Sequence, residues 1–144
     1  MKLNFLSSNI IQAALTVHSE LGPGLLESVY QDCMVIELRN MGVVVQAEVS
    51  LPVSYRGQRI RDEGFRVDLL VGDLIIVELK SVEKVQPVHK KQLLTYLRLA
   101  DKELGLLINF AVPRLKEGVY RVINNKKKLS SVTPVISSDR RERA

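Results

Sequence analysis

Residues 74–80 read Leu74-Ile75-Ile76-Val77-Glu78-Leu79-Lys80, and the fold turns on why so apolar a run ends in two charges. The branched aliphatics, bounded by Gly72-Asp73 before and Ser81 after, predict a strand. It is apolar on both faces, the mark of a central strand covered from both sides. Side chains alternate along a strand, so Glu78 and Lys80 project from one face while Leu79 points to the other. Solvated charges do not belong at the end of a buried strand, and a local failure of this kind marks a functional position.

Outward from this strand, residues 59–71 predict a second one, joined through the tight Gly72-Asp73 turn and therefore adjacent and antiparallel. Val43 to Val53 is β-branched and alternating, and it ends in the hairpin turn Tyr55-Arg56-Gly57-Gln58. Ser81 to Pro87 reads as a loop, followed by a helix over 88–101 with Leu93, Leu94, Leu97 and Ala100 apolar. Leu104 to Phe110 is a fourth strand, and Val119 to Ile123 a short edge strand.

Ahead of the strands, a helix is predicted over 5–21, with Ile10, Ile11, Ala14, Leu15 and His18 or Leu21 inward and Ser7, Ser8 or Asn9 as its cap. After Gly22-Pro23-Gly24 a second helix runs from Leu25 to Met41. Its stripe Glu27, Tyr30, Met34, Leu38 and Met41 faces a core, which makes Glu27 a puzzle, because a buried carboxylate needs a partner. A second face, Leu26, Val29, Cys33 and Ile36, predicts Cys33 as a buried small hydrophobe. The order of helix, helix, three strands, helix and strand is an α/β layer with a meander and one crossover.

The 144 residues suffice for one domain with a real core, assigned here to residues 1–123. A single cysteine excludes an internal disulfide or a cysteine zinc site and predicts a reducing, cytoplasmic setting. Polar residues break up the N-terminus as a signal sequence, and no apolar run approaches a membrane span. Of the net charge of +5, the tail 124–144 carries +4, through Lys126, Lys127, Lys128, Arg140, Arg141 and Arg143 against Asp139 and Glu142. The tail therefore reads as disordered, and the folded part is nearly neutral. No phosphate-binding loop, serine nucleophile elbow or Cys/His cluster occurs.

Pairing across Gly72-Asp73 matches Asp68 with residue 77 or 78 and sets its carboxylate beside Glu78. Two such groups repel unless a cation lies between them, and oxygen-only ligation suits Mg²⁺ or Mn²⁺. Lys80 can position a water or steady a phosphoryl oxygen, the equipment of metal-assisted phosphodiester hydrolysis. Arg66 alternates onto the face of Asp68, where it contacts a phosphate or balances the acids.

These residues resemble the PD-(D/E)XK nuclease superfamily: Asp68 matches the acid of its second core strand and Glu78-Leu79-Lys80 its E-x-K, with Val67 standing where the motif's Pro would be. Gln92-Leu93-Leu94-Thr95-Tyr96 is similar to the Q-x-x-x-Y motif of RecB-type nucleases. Gly24-Leu25-Leu26-Glu27-Ser28-Val29-Tyr30 reads as the G-x-x-E-x-x-Y signature of a small bacterial family in that superfamily. The resemblance covers roughly residues 8–123. It implies a restriction-endonuclease-like core (α-βββ-α-β) with a central mixed sheet flanked by helices and an extra N-terminal helix. It further implies that Asp68, Glu78 and the Leu79 carbonyl bind Mg²⁺ (or Mn²⁺), with Glu27 in the outer shell and Tyr30 bordering the pocket. Lys80 would position the attacking water, while Gln92 and Tyr96 orient the substrate. The implied reaction is hydrolysis of a DNA phosphodiester, with RNA the lesser candidate and a homodimer one way to assemble a basic surface. The rival reading keeps the fold as a non-catalytic nucleic-acid-binding or adaptor protein.

Overall fold

The computed structural model describes residues 2–125, apart from the side chains of Asp62 and Glu63, so the predicted basic tail lies outside the described residues from position 126 on. The elements are α1 (Lys2–Leu21), α2 (Glu27–Asn40), β1 (Val45–Tyr55), β2 (Gln58–Val71), β3 (Ile75–Lys80), α3 (Pro87–Ala100), β4 (Leu104–Asn109), a short 3₁₀ turn (Leu115–Gly118) and β5 (Val119–Ile123). They form one mixed sheet in the order β1-β2-β3-β4-β5, with β3 and β4 parallel and the other pairs antiparallel. This is the predicted α/β restriction-endonuclease-like arrangement. No described helix is long and apolar enough to cross a membrane.

β3 is central because it has no polar face: Ile75, Val77 and Leu79 join one core, and Ile76 joins the other. The first core is roofed by α1 and α2, the second by α3. The β3–β4 crossover needs a helix to span a parallel pair, and α3 supplies it. α3 starts on Pro87, with Gln86 and His89 exchanging cap hydrogen bonds. Gly105 on β4 lets α3 come close, since a Cβ there would lie 2.9 Å from Leu93 side-chain atoms.

Several expectations are corrected. α1 begins at Lys2, so Ser7 is a buried mid-helix residue bonded to the Asn4 carbonyl, not a cap. Leu15 and Leu21 are exposed, and Leu6, Ala13 and Val17 take their inward places. On α2 the stripe Tyr30, Met34 and Leu38 is fully buried, but Leu26, Val29 and Ile36 are exposed and Cys33 is only partly covered. One sheet and one neighbouring helix bury a single stripe of α2, so its second apolar face has no layer to meet.

β1 and β2 change face partway along. Val45, Leu69 and Val71 belong to the α1/α2 core, whereas Val49, Leu51, Phe65 and Val67 belong to the α3 core, although all are odd-numbered. Glu48, at φ +53°, lies at the break, where Ala47 pairs with Leu69 and Val49 with Val67. A residue in the left-handed region resets the pleat, and the outer hairpin turns toward α3.

Gly105→Ala is expected to overpack the α3–β4 contact and to cost about 1–3 kcal/mol, read as a lower urea midpoint with unchanged slope.

Candidate active site

β2 and β3 pair as Leu69 with Val77, Leu70 with Ile76 and Val71 with Ile75, and the backbone ladder stops there. The next pair in register is Asp68 with Glu78, and side chains replace the missing ladder bonds. The Asp68 N–H donates to Glu78 Oε2 at 2.9 Å, and the Leu79 N–H donates to Asp68 Oδ2 at 2.7 Å. Each carboxylate thus holds the other strand at the point where the strands part. Among the described residues Glu78 and Lys80 form no salt bridge of the kind an ordinary strand edge would show.

Glu78 is 7% exposed and Asp68 half-buried. Burial, then the Asp68 charge, pushes the Glu78 carboxyl up to about 7, with its bond from the Asp68 N–H, and then Lys80, opposing. Asp68 is raised too, chiefly by burial and then by Glu27, while the Leu79 N–H, Lys80 and Arg66 oppose the rise. Neither Oδ1 of Asp68 nor Oε1 of Glu78 accepts a hydrogen bond from a described residue, so each acid keeps one uncommitted oxygen. Two crowded, under-compensated carboxylates with free oxygens fit a hard divalent cation. Among the described residues no three His, Cys, Asp or Glu side chains gather closely enough to cage one alone.

The sequence-predicted residues divide as follows. Lys80 is half-buried, acts on both acids through its charge and forms no ion pair with either. Glu27 opens α2 at the surface, where its Oε2 takes the Ser81 N–H at 3.3 Å and its charge raises Asp68 and Glu78. The puzzle of a buried Glu27 dissolves, since the stripe meets solvent at its first turn beside the end of β3. Tyr96 is half-buried and stacked on Phe65 at 4.4 Å, and burial, then Glu78 and Asp68, pushes its hydroxyl above the usual tyrosine value. Gln92 is exposed and bonds to no described residue. Arg66 pairs with Glu48 at 3.6 Å at the surface and still acts on Asp68.

Tyr30 is corrected. It is fully buried, stacked on Phe110 at 4.3 Å, and its hydroxyl donates to the Gly22 carbonyl at 2.6 Å and accepts from the Leu25 N–H at 3.1 Å. It offers no surface to a substrate. Its work is to pin the Gly22–Leu25 turn that carries Glu27, and Ser81 Oγ, donating to the Leu25 carbonyl at 2.7 Å, ties that turn to β3.

Two residues escaped the sequence reading. Asn109, 2% exposed at the end of β4, takes the Val82 and Ala111 N–H groups and donates to the Val82 carbonyl, fixing the loop after Lys80. Its signal was the one already used for Glu78, a polar residue closing an apolar strand. Glu48, bonded from Gln31 at 2.9 Å, gave no such signal, because it falls on the polar phase of the alternating β1 stretch. His18 bonds the Val112 carbonyl at 2.8 Å and lies beside the Phe110 ring.

A family model described as the PD-(D/E)XK nuclease superfamily matches residues 4–122. No curated protein matches the chain.

The pH dependence of metal-free stability carries a sign. The unfolded Glu78 titrates near 4.5 and the folded one near 7, so the native state holds a proton that the unfolded state has lost between those values. This contribution is present below pH 4.5, is lost as pH rises through 7, and amounts to about 3 kcal/mol. With a chelator present, Glu78→Gln should lose less stability than wild type between pH 5 and 8; equal losses in urea denaturation would show that the acid is not strained. Tyr30→Phe is expected to cost about 1–3 kcal/mol by stranding the Leu25 N–H and Gly22 carbonyl, measured the same way.

Proposed function

The chain belongs to the PD-(D/E)XK nuclease superfamily, and from that premise we propose that it is a metal-dependent nuclease hydrolysing DNA phosphodiester bonds. The carrying observation is the reciprocal clasp of Asp68 and Glu78, which buries two repelling acids and leaves an oxygen free on each. Asp68, Glu78 and the Leu79 carbonyl would hold Mg²⁺ (or Mn²⁺), whose bound charge supplies Lewis acidity at the phosphoryl oxygens.

The chain's own residues do the remainder. Lys80, half-buried and unpaired among the described residues, holds the attacking water or a phosphate oxygen by its ammonium. Glu27 orders water at the rim from the start of α2. Tyr96 offers its hydroxyl as a donor to the substrate, and Gln92, exposed one turn earlier, closes on it when nucleic acid arrives. Arg66 balances the phosphate charge beside Asp68. We place this activity in the cytoplasm, on the strength of a lone, unpaired cysteine.

The test is calorimetric Mg²⁺ titration and a cleavage screen over duplex, single-stranded and branched DNA and RNA. Wild type should bind and cleave. Glu78→Ala should lose both, and Lys80→Ala should keep metal binding while cleavage drops on the order of 100-fold or more. Nucleic-acid binding without metal binding or cleavage would replace this reading with a non-catalytic binding protein. Cleavage of RNA alone would transfer the substrate.

A further inference from the structure

The outer end of the β1–β2 hairpin has no role in the site described above. Residues 54–61 are exposed without exception, and they carry Arg56, Arg59 and Arg61 with no acid among them. That is +3 in eight residues, in a folded part whose net charge is +1. None of the three arginines forms an ion pair with a described residue. The next acids in the sequence are Asp62 and Glu63, and the strand register shifts between the Leu51–Phe65 and Val53–Arg61 pairs. Tyr55 and Ile60 stand 61% and 54% exposed between the charges, and Arg56 lies over the Tyr55 ring at 5.4 Å with its Nε bonded to the hydroxyl.

Apolar and guanidinium groups alternating on an exposed ribbon make a poor solvent surface and a good nucleic-acid surface. A two-stranded ribbon with strands about 4.8 Å apart enters a B-form major groove about 12 Å wide, whereas the deep, narrow major groove of duplex RNA does not admit it. The same strand joins the ribbon to the candidate site: Gln58 lies ten residues before Asp68 on β2. At about 3.3 Å per residue the tip stands at most about 33 Å from the acids, near one helical turn of duplex.

We propose that the ribbon Ser54–Arg61 is a duplex-DNA-binding arm, which grips the major groove to one side of the bond presented to Asp68 and Glu78. The position of that bond rests on the nuclease reading above; the arm's affinity for duplex does not require cleavage.

The experiment compares wild type with the combined Arg56→Gln, Arg59→Gln, Arg61→Gln variant. Binding of labelled DNA duplex, RNA duplex and single-stranded DNA is followed by fluorescence anisotropy over a salt series with chelator present, after circular dichroism has confirmed equal folding. The arm predicts that the variant binds DNA duplex about 100-fold more weakly at low salt, with a salt slope shallower by about 2–3. Unchanged duplex affinity and slope in the variant overturn the arm. So does equal, arginine-dependent binding of the RNA duplex, which points to a shape other than the B-form groove. If wild type cleaves single strands with Mg²⁺ but binds no duplex, the arm fails and the nuclease stands. If it binds duplex through the arginines yet neither takes up Mg²⁺ nor cleaves any substrate, the arm stands and the nuclease reading fails.

Discussion

Everything at the candidate site depends on how β2 and β3 come apart. A backbone ladder ordinarily satisfies its own N–H groups, and a fork in a buried sheet leaves them orphaned. Here Glu78 accepts the Asp68 N–H and Asp68 accepts the Leu79 N–H, so the fork is closed by two carboxylates. The charge that the proposed chemistry would need is also the acceptor that the backbone needs. That is how a sheet tolerates two acids within hydrogen-bonding reach of its core.

The surrounding elements are arranged to hold this fork rather than to neutralise it. Asn109 fixes the chain beyond Lys80, Ser81 ties β3 to the turn before α2, and Tyr30 locks that turn from beneath. None of them is a cation, and Arg66, the arginine that acts on Asp68, is paired with Glu48. The raised Asp68 and Glu78 are the electrostatic result, a site under-compensated by design of its neighbours and receptive to positive charge.

Much of this was legible in the residues. The apolar run before Glu78 predicted a central strand, and the Gly72-Asp73 turn narrowed the partner of Asp68 to residue 77 or 78, because strand period and turn geometry are local properties; the register then brings it opposite Glu78. Helix faces were read less well. Leu26, Val29 and Ile36 have the spacing of a buried stripe, but spacing says nothing about whether a second layer exists to cover it. Tyr30 failed for a related reason: a motif marks a residue as required without saying whether it touches the ligand or the backbone beneath. Glu48 was hidden because a left-handed residue inside a strand is a tertiary compromise, not a propensity.

The double duty of the clasp also shapes how such a protein can change over generations. Alanine at either acid strands a backbone donor as well as removing a charge, so drift through small residues is opposed by folding itself. The corresponding amides keep the acceptor oxygens and relieve the repulsion between neighbours. A lineage that gave up catalysis would retain this fork most readily as asparagine at 68 and glutamine at 78, and its loss of chemistry would be written in two amides on an otherwise intact sheet.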